Sequence, residues 1–238
     1  EKIIAARDRM GINPLVYYTD SEKFIFASEM KALYAYGIPK ELNTAAAYTY
    51  FQLNYLPANI CMLKNVHKLE PGNYILVDKT GISVKSYYKI PNSPIAENYD
   101  DYQTASRKLR DLLDAAVERR LMSDVPLGCF LSGGIDSTVI TALAAGHTKH
   151  LNTFSIGFKD EEFFDETSFA EIVAKRYKTN HTSFKISNDD LLNNLTEMLD
   201  YLDEPFADSS ALAVNILSKL TRTKVTVALS GDGADEIF

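Results

Sequence analysis

Apolar and polar positions change rhythm near the middle of the chain. Over residues 1–90, KIIAARD (2–8), PLVYY (14–18) and KFIFAS (23–28) are short apolar runs and predict strands. The connection RDRMGIN carries Gly11 where a turn would need it. EMKALYAYG predicts a short helix with Gly37 just past its end. NTAAAYTYFQL predicts a second, with Asn43 or Thr44 as N-cap. NYILVD and ISVKSYYKI flank Lys79, Thr80 and Gly81, a hairpin pattern. The segment PNSPIAENYDD (91–101) has two prolines, two asparagines and few apolar residues, and reads as a linker.

From about Tyr102 helical and extended patterns alternate. Leu109, Leu112, Leu113, Ala116, Val117 and Leu121 form one stripe at helical spacing. VPLGCFL predicts a buried strand, and DSTVITALAAG a helix closed by Gly146. LNTFSIGF, HTSFKI and KVTVALS predict three more strands. DETSFAEIVAKRYK predicts a helix, as do residues 189–203 and 209–222. Strands alternating with helices imply a parallel sheet covered on both faces. The expected organisation is α+β over 1–90, a linker over 91–101, and α/β over 102–238. Ligands of such sheets sit at the carboxyl ends of the strands.

Composition narrows the function classes. The net charge of −7, with no basic block, argues against nucleic-acid binding. No apolar run approaches the roughly 20 residues needed to span a bilayer, and the opening EKIIAARDRM lacks the apolar core of a signal peptide. Cys61 and Cys129 are too few for a disulfide framework or a zinc site and read as buried small hydrophobes, which fits a reducing cytoplasm. His67, His147, His150 and His181 show no metal spacing. Arg7, Asp8 and Arg9 read as a salt-bridge cluster at a strand end.

The chemistry concentrates in two stretches. Ser132, Gly133, Gly134, Ile135, Asp136 and Ser137 lie between a buried strand and a helix. A helix N-terminus offers unpaired N–H groups and partial positive charge, and glycines let the backbone close on an anion. The loop has no lysine, so it is not a Walker A loop, and it is not G-x-G-x-x-G. Asp136 repels phosphate unless a cation lies between, which points to Mg²⁺. The plainer alternative is a capping turn with an acid in its first turn. The second stretch, VALSGDGADEIF (227–238), again runs from strand to Ser-Gly and supplies Asp232, Asp235 and Glu236. The two loops converge on one metal–phosphate group if their strands are neighbours.

SGGIDS resembles the PP-loop of ATP pyrophosphatases, and LSGDGADEIF the second loop of the asparagine synthetase branch of that group. RLMSDVPLGCFLSGGIDS and FSIGF extend the likeness. ARDRMGINPLVYY and HKLEPGNYILV resemble the late strands and the end of the glutaminase domain of class II glutamine amidotransferases. The resemblance implies an Ntn-hydrolase-type glutaminase portion over 1–90. It implies an adenine-nucleotide α-hydrolase-like portion over 102–238, within a glutamine-hydrolysing asparagine synthetase that uses ATP, Mg²⁺, aspartate and glutamine or ammonia.

It also implies site roles. Leu131 and Ile156 would line adenine and ribose. Ser132, Gly133, Gly134, Asp136 and Ser137 would hold pyrophosphate, with Asp136 a Mg²⁺ ligand. Ser230 and Gly231 would contact the nucleotide, and Asp235 would be a second Mg²⁺ ligand. Asp232 falls where the best-known asparagine synthetases carry a glutamate tied to acyl-adenylate formation. Relatives acting on other acids share this shorter form. Amidation of another carboxylate, β-lactam closure and a catalytically silent nucleotide-binding module therefore stay open. Glu204-Pro205 and Asp208-Ser209-Ser210 match a loop near the active site, or form a loop with a helix cap at Asp208. Relatives commonly pair as homodimers. Class II glutaminases attack with an N-terminal cysteine. This chain opens on Glu1, so it is expected to be a fragment that releases no ammonia from glutamine alone.

Overall fold

The computed structural model describes residues 2–57, 59–91 and 100–235. Most of the expected linker, and Glu236 with the rest of the C-terminal motif, lie outside the described residues. The chain divides into two compact units, Glu1–Ala96 with Leu199–Asp208, and Glu97–Met198 with Ser209–Phe238.

The first unit contains β1 (Ile3–Ala6), β2 (Val16–Thr19), β3 (Phe24–Ala27), α1 (Met30–Tyr36), α2 (Thr44–Leu53), β4 (Val66–Lys68), β5 (Asn73–Asp78) and β6 (Gly81–Ser86). They form two antiparallel three-stranded sheets, ordered β1-β5-β6 and β3-β2-β4. Val16 and Tyr18 of β2, Met30 and Leu33 of α1, and Ile38, Cys61 and Val66 make its main core. The alternation along β2 puts Val16 and Tyr18 on the same face. Asn43 caps α2 by accepting from the Ala46 N–H, and Gly37 ends α1 at φ +94°. In the β5–β6 hairpin the turn is Lys79-Thr80, and Gly81 already pairs with Asp78.

Two features of this unit depart from the sequence-based expectation. Among the described residues Arg7, Asp8 and Arg9 form no salt-bridge cluster. Arg7 donates to the carbonyls of Gly11, Asn13 and Leu69. Asp8 accepts from the N–H groups of Met10, Ile12 and Asn13, and Arg9 lies over the Tyr88 ring. The side chains satisfy the backbone of an irregular loop, which has no ladder to do so. The loop also leads β1 and β2 into different sheets. The second departure is the segment 199–208. Glu29, at the N-cap of α1, makes no side-chain cap bond. Asp203 supplies it instead, accepting from the Met30 N–H at 2.7 Å. Glu204 accepts from the Met62 N–H at 2.7 Å and pairs with Lys68 at 2.7 Å, with only 13% of the Glu204 side chain exposed.

The second unit contains α3 (Tyr102–Leu121), β7 (Leu127–Phe130), α4 (Ile135–His147), β8 (Asn152–Phe158), α5 (Thr167–Tyr177), β9 (Asn180–Ile186), α6 (Asn188–Tyr201), whose last turn belongs to the first unit, α7 (Ser210–Arg222) and β10 (Val227–Leu229). The four strands form one parallel sheet ordered β10-β7-β8-β9. Neighbouring residues of β7 feed opposite faces. Cys129 packs with Val117 of α3 and Ala144 of α4, whereas Phe130 joins Phe154, Ile156 and Leu217 of α7. The fold is therefore α/β in this unit and α+β in the first. Gly146 does not close α4, which runs one residue further to a cap at Thr148. The early part of the α3 stripe is not covered, since Leu109 and Leu112 are exposed.

Sequence order runs β7, β8, β9 in one direction across the sheet, and β10 then returns to the other side of β7. That reversal is a topological switch point. The crevice outside the carboxyl ends of the two flanking strands is where such sheets hold ligands.

Candidate functional site

β7 and β10 are hydrogen-bonded neighbours in parallel, with Leu127 opposite Val227 and Cys129 opposite Leu229. The two Ser-Gly loops that follow them therefore leave the sheet side by side. Gly231 shows how close they come. A β-carbon there would lie 2.8 Å from the Asp136 carbonyl carbon and 2.8 Å from the Ser137 nitrogen. Only glycine lets the second loop rest on the first turn of α4.

The first loop is braced by its own hydroxyls. The Ser132 N–H donates to Ser137 Oγ (3.2 Å), the two serine hydroxyls lie 3.0 Å apart, and the Gly134 N–H donates to Ser132 Oγ (3.2 Å). Ser137 Oγ reaches Gly134 O at 3.2 Å. Gly134 occupies the N-cap of α4 without a side-chain cap, and Asp136 sits in the first turn. Gly133 adopts φ +89°, and a β-carbon there would lie 2.5 Å from Phe169 Cβ. In the second loop Ser230 Oγ donates to Asp232 Oδ2 at 3.0 Å.

The loops enclose a cleft of ≈ 360 Å³ lined by Ser132, Gly134, Asp136 and Ser137 on one side and Gly231, Asp232, Gly233, Ala234 and Asp235 on the other. Three of these residues are carboxylates and none is basic. An anion enters such a cleft only with a cation to offset the carboxylates. The donors are oxygen alone, which suits a hard ion such as Mg²⁺ and not zinc. Among the described residues no three His, Cys, Asp or Glu side chains gather as a self-sufficient metal site. Mg²⁺ needs no such group, since one or two carboxylates plus phosphate and water oxygens suffice.

The remaining sequence-expected residues lie outside the lining. The Leu131 side chain is 1% exposed and packs on Ala170 and Ala174 of α5. Its N–H is taken by Phe154 O. The Ile156 side chain packs with the Phe154 cluster. Gly133 and Ser230 act as backbone neighbours of the cleft. Glu204 is engaged inside the first unit, and the residue at the N-cap of α7 is Ser209, without a side-chain cap bond, not Asp208. His147 pairs with Asp114 (2.8 Å), His67 stacks on Tyr17, and His181 bonds the hydroxyls of Thr153 and Ser155.

Asp165 and Lys185 carry no motif in the sequence and stand out only in the structure. Asp165 bonds the Thr167 N–H and hydroxyl at the start of α5, and Lys185 at 3.0 Å. Two signals could have found Asp165: an acid two residues before a helix-opening threonine, and the interior glycine Gly157, which marks a close approach.

Comparison with known proteins bears on the two halves separately. A family model for asparagine synthase matches residues 108–238, and one for a glutamine amidotransferase domain matches residues 1–88. The chain belongs to the asparagine synthase family. It is 36% identical over 244 residues to a putative glutamine-hydrolysing asparagine synthetase 2 of Methanocaldococcus jannaschii, covering 99% of this chain and 46% of that protein. It is 35% identical over 237 residues to the glutamine-hydrolysing asparagine synthetase 1 of Bacillus subtilis, covering 99% and 37%. A putative counterpart in Mycobacterium tuberculosis is 34% identical over 245 residues, covering 100% and 37%. The chain thus spans less than half the length of these curated relatives. No described helix is long and apolar enough to cross a membrane.

Proposed function

We propose that this chain carries the nucleotide cleft and part of the glutaminase fold of an enzyme that makes asparagine from aspartate, ATP and glutamine-derived ammonia. One observation carries the reading. Two Ser-Gly-Asp loops meet at the switch point of a parallel sheet, around a cleft with three carboxylates and no basic group. That arrangement suits a metal–nucleotide complex and little else.

Aspartate's β-carboxylate is a poor electrophile. Its oxygen attacks the α-phosphorus of ATP, the bond to the bridging oxygen breaks, and pyrophosphate leaves a β-aspartyl-adenylate. Ammonia then attacks the acyl carbon, AMP departs with the C–O electron pair, and the extra proton passes to solvent. The N–H groups at the start of α4 and the braced loop of Ser132 to Ser137 receive the pyrophosphate. Asp136 and Asp235 would hold Mg²⁺, which when bound would supply positive charge against the leaving pyrophosphate. Ser230 and Gly231 approach the nucleotide through their backbone, as do Leu131 and Ile156, whose side chains are committed to the core. Asp232, held by the Ser230 hydroxyl and lining the cleft, is the candidate to assist acyl-adenylate formation. The residues 1–88 portion belongs to the ammonia-supplying half, and the enzyme works in the cytoplasm, without nucleic acid or membrane and as a homodimer.

The test supplies the full-length parent enzyme with Mg²⁺, ATP, ammonia and aspartate. Pyrophosphate, AMP and asparagine appearing in equal amounts support the proposal. Pyrophosphate released only with another carboxylic acid corrects the substrate to amidation of that acid. No pyrophosphate with any acid overturns it in favour of a binding module.

A further inference from the structure

The floor beneath the first loop is the opening turn of α5. Gly133 rests on Phe169 and Ala170 so closely that a β-carbon would come within 2.5 Å of one and 2.7 Å of the other. Leu131 packs into the same helix at Ala170 and Ala174. The position of the loop thus depends on where α5 begins. The N-cap residue of α5, Glu166, makes no side-chain cap bond. Asp165, one residue earlier, takes over. Its Oδ1 accepts from the Thr167 N–H at 3.0 Å and from the Thr167 hydroxyl at 2.6 Å, and its Oδ2 accepts from Lys185 Nζ at 3.0 Å.

Asp165 reaches this position because of what lies beneath it. Gly157 of β8 stands opposite Lys185 of β9. A β-carbon at Gly157 would lie 2.5 Å from Asp165 Oδ1 and 2.6 Å from Thr167 Cγ2. The glycine is a seat for the carboxylate, which keeps only 15% of its side chain exposed. Gly157 belongs to the FSIGF stretch, and packing alone accounts for it.

We propose that Asp165 is a positioning residue for the nucleotide loop. Seated on Gly157 and locked by Lys185, it fixes the first turn of α5 and through it the backbone of Ser132 to Asp136. The idea deepens the proposed nucleotide site and rests on that reading for its functional consequence. The structural link from Asp165 to the loop stands without it.

The experiment has two readouts. The first is amide hydrogen exchange of the loop in this chain without nucleotide. Asp165→Asn, Lys185→Met and Thr167→Val are compared with Thr167→Ser, which keeps the hydroxyl. Asp165→Asn and Thr167→Val should raise exchange across 132–136 roughly tenfold, or about 1.4 kcal/mol. Lys185→Met should raise it several-fold, and Thr167→Ser should leave it unchanged. Lys185 is half exposed, so its variant keeps the fold if Asp165→Asn does not. Unchanged exchange in Lys185→Met and Thr167→Val, or equal loosening in Thr167→Ser, overturns the proposal. The second readout is Mg²⁺-ATP affinity by calorimetry. A roughly tenfold loss in both Asp165→Asn and Thr167→Val that is absent in Thr167→Ser supports the positioning role in function. If the loop loosens but the unsubstituted protein binds no Mg²⁺-ATP, the nucleotide reading fails and Asp165 still positions the loop.

Discussion

Replacing Glu204 tests whether the segment 199–208 is a structural part of the first unit. Its two carboxylate oxygens serve different partners, the Met62 N–H and the Lys68 ammonium, both at 2.7 Å. Glu204→Ala removes both at once. Breaking a well-buried ion pair by deleting one member costs about 3–5 kcal/mol. Lys68 keeps 21% of its side chain exposed and regains part of its hydration, which lowers the expected cost to roughly 2–3 kcal/mol. Glu204→Gln keeps an acceptor for Met62 but turns a donor NH₂ toward Lys68, losing that hydrogen bond with the charge, so it should cost less than Glu204→Ala by roughly 1 kcal/mol, the worth of the Met62 bond. Peptide-resolved hydrogen exchange reads these values as opening free energies. In Glu204→Ala, exchange over α1 and over residues 61–68 should rise on the order of 30- to 150-fold, while β8 and β9 stay protected. A change below about 0.5 kcal/mol in both variants would refute the reasoning, since the pair would then be worth no more than a surface contact.

Gly231→Ala places a methyl against the Asp136 and Ser137 backbone. Overpacking of about 1–3 kcal/mol should separate the loops and weaken Mg²⁺-ATP binding at least several-fold in calorimetry, with circular dichroism unchanged. Burial pushes the thiols of Cys61 and Cys129 up to about 12, so neither should react with iodoacetamide at pH 8 until denaturant is added. Burial holds His181 below its ordinary value, against a smaller opposing pull from Glu171. The unfolded chain therefore binds the proton first. Stability is full above about pH 6.5 and falls as pH drops through the window below it. The urea midpoint should show that slope, and His181→Gln should reduce it to the share left by His67, which burial also holds below its ordinary value. Thr167 and Lys185 hold Asp165 below the usual carboxylate range, so its own contribution persists to lower pH and is lost only below about pH 4.

Local pattern was enough to read most elements of the second unit, because each buried strand and helix of an α/β layer repeats its own period. It was not enough for β4. Val66–Lys68 is three residues, two of them polar, and becomes a strand only by pairing with β2. Neighbour relations were also illegible. Nothing in VALSGDGAD says that β10 returns beside β7, and the two-loop cleft depends on that return. Side-chain direction was the third gap. The Leu131 side chain packs on α5 and the Ile156 side chain with the Phe154 cluster, so neither lines the cleft. The cleft residues were legible for a plain reason. Serine, glycine and aspartate at a strand–helix junction are poor choices for packing, so their presence asks for another explanation.

The pairing of β7 with β10 also fixes when the cleft can exist. Val227 stands opposite Leu127, and α4, β8, α5, β9, α6 and α7 all lie between them along the chain. Closing so large an intervening loop is entropically slow. The second half of the cleft thus depends on a strand that must find β7 across that long separation. Occupancy of the cleft reports on the pairing of β7 with β10, and any ligand held there would stabilise the paired strands over the unpaired ones. During biosynthesis, the capacity to bind would appear only after translation has passed Asp235.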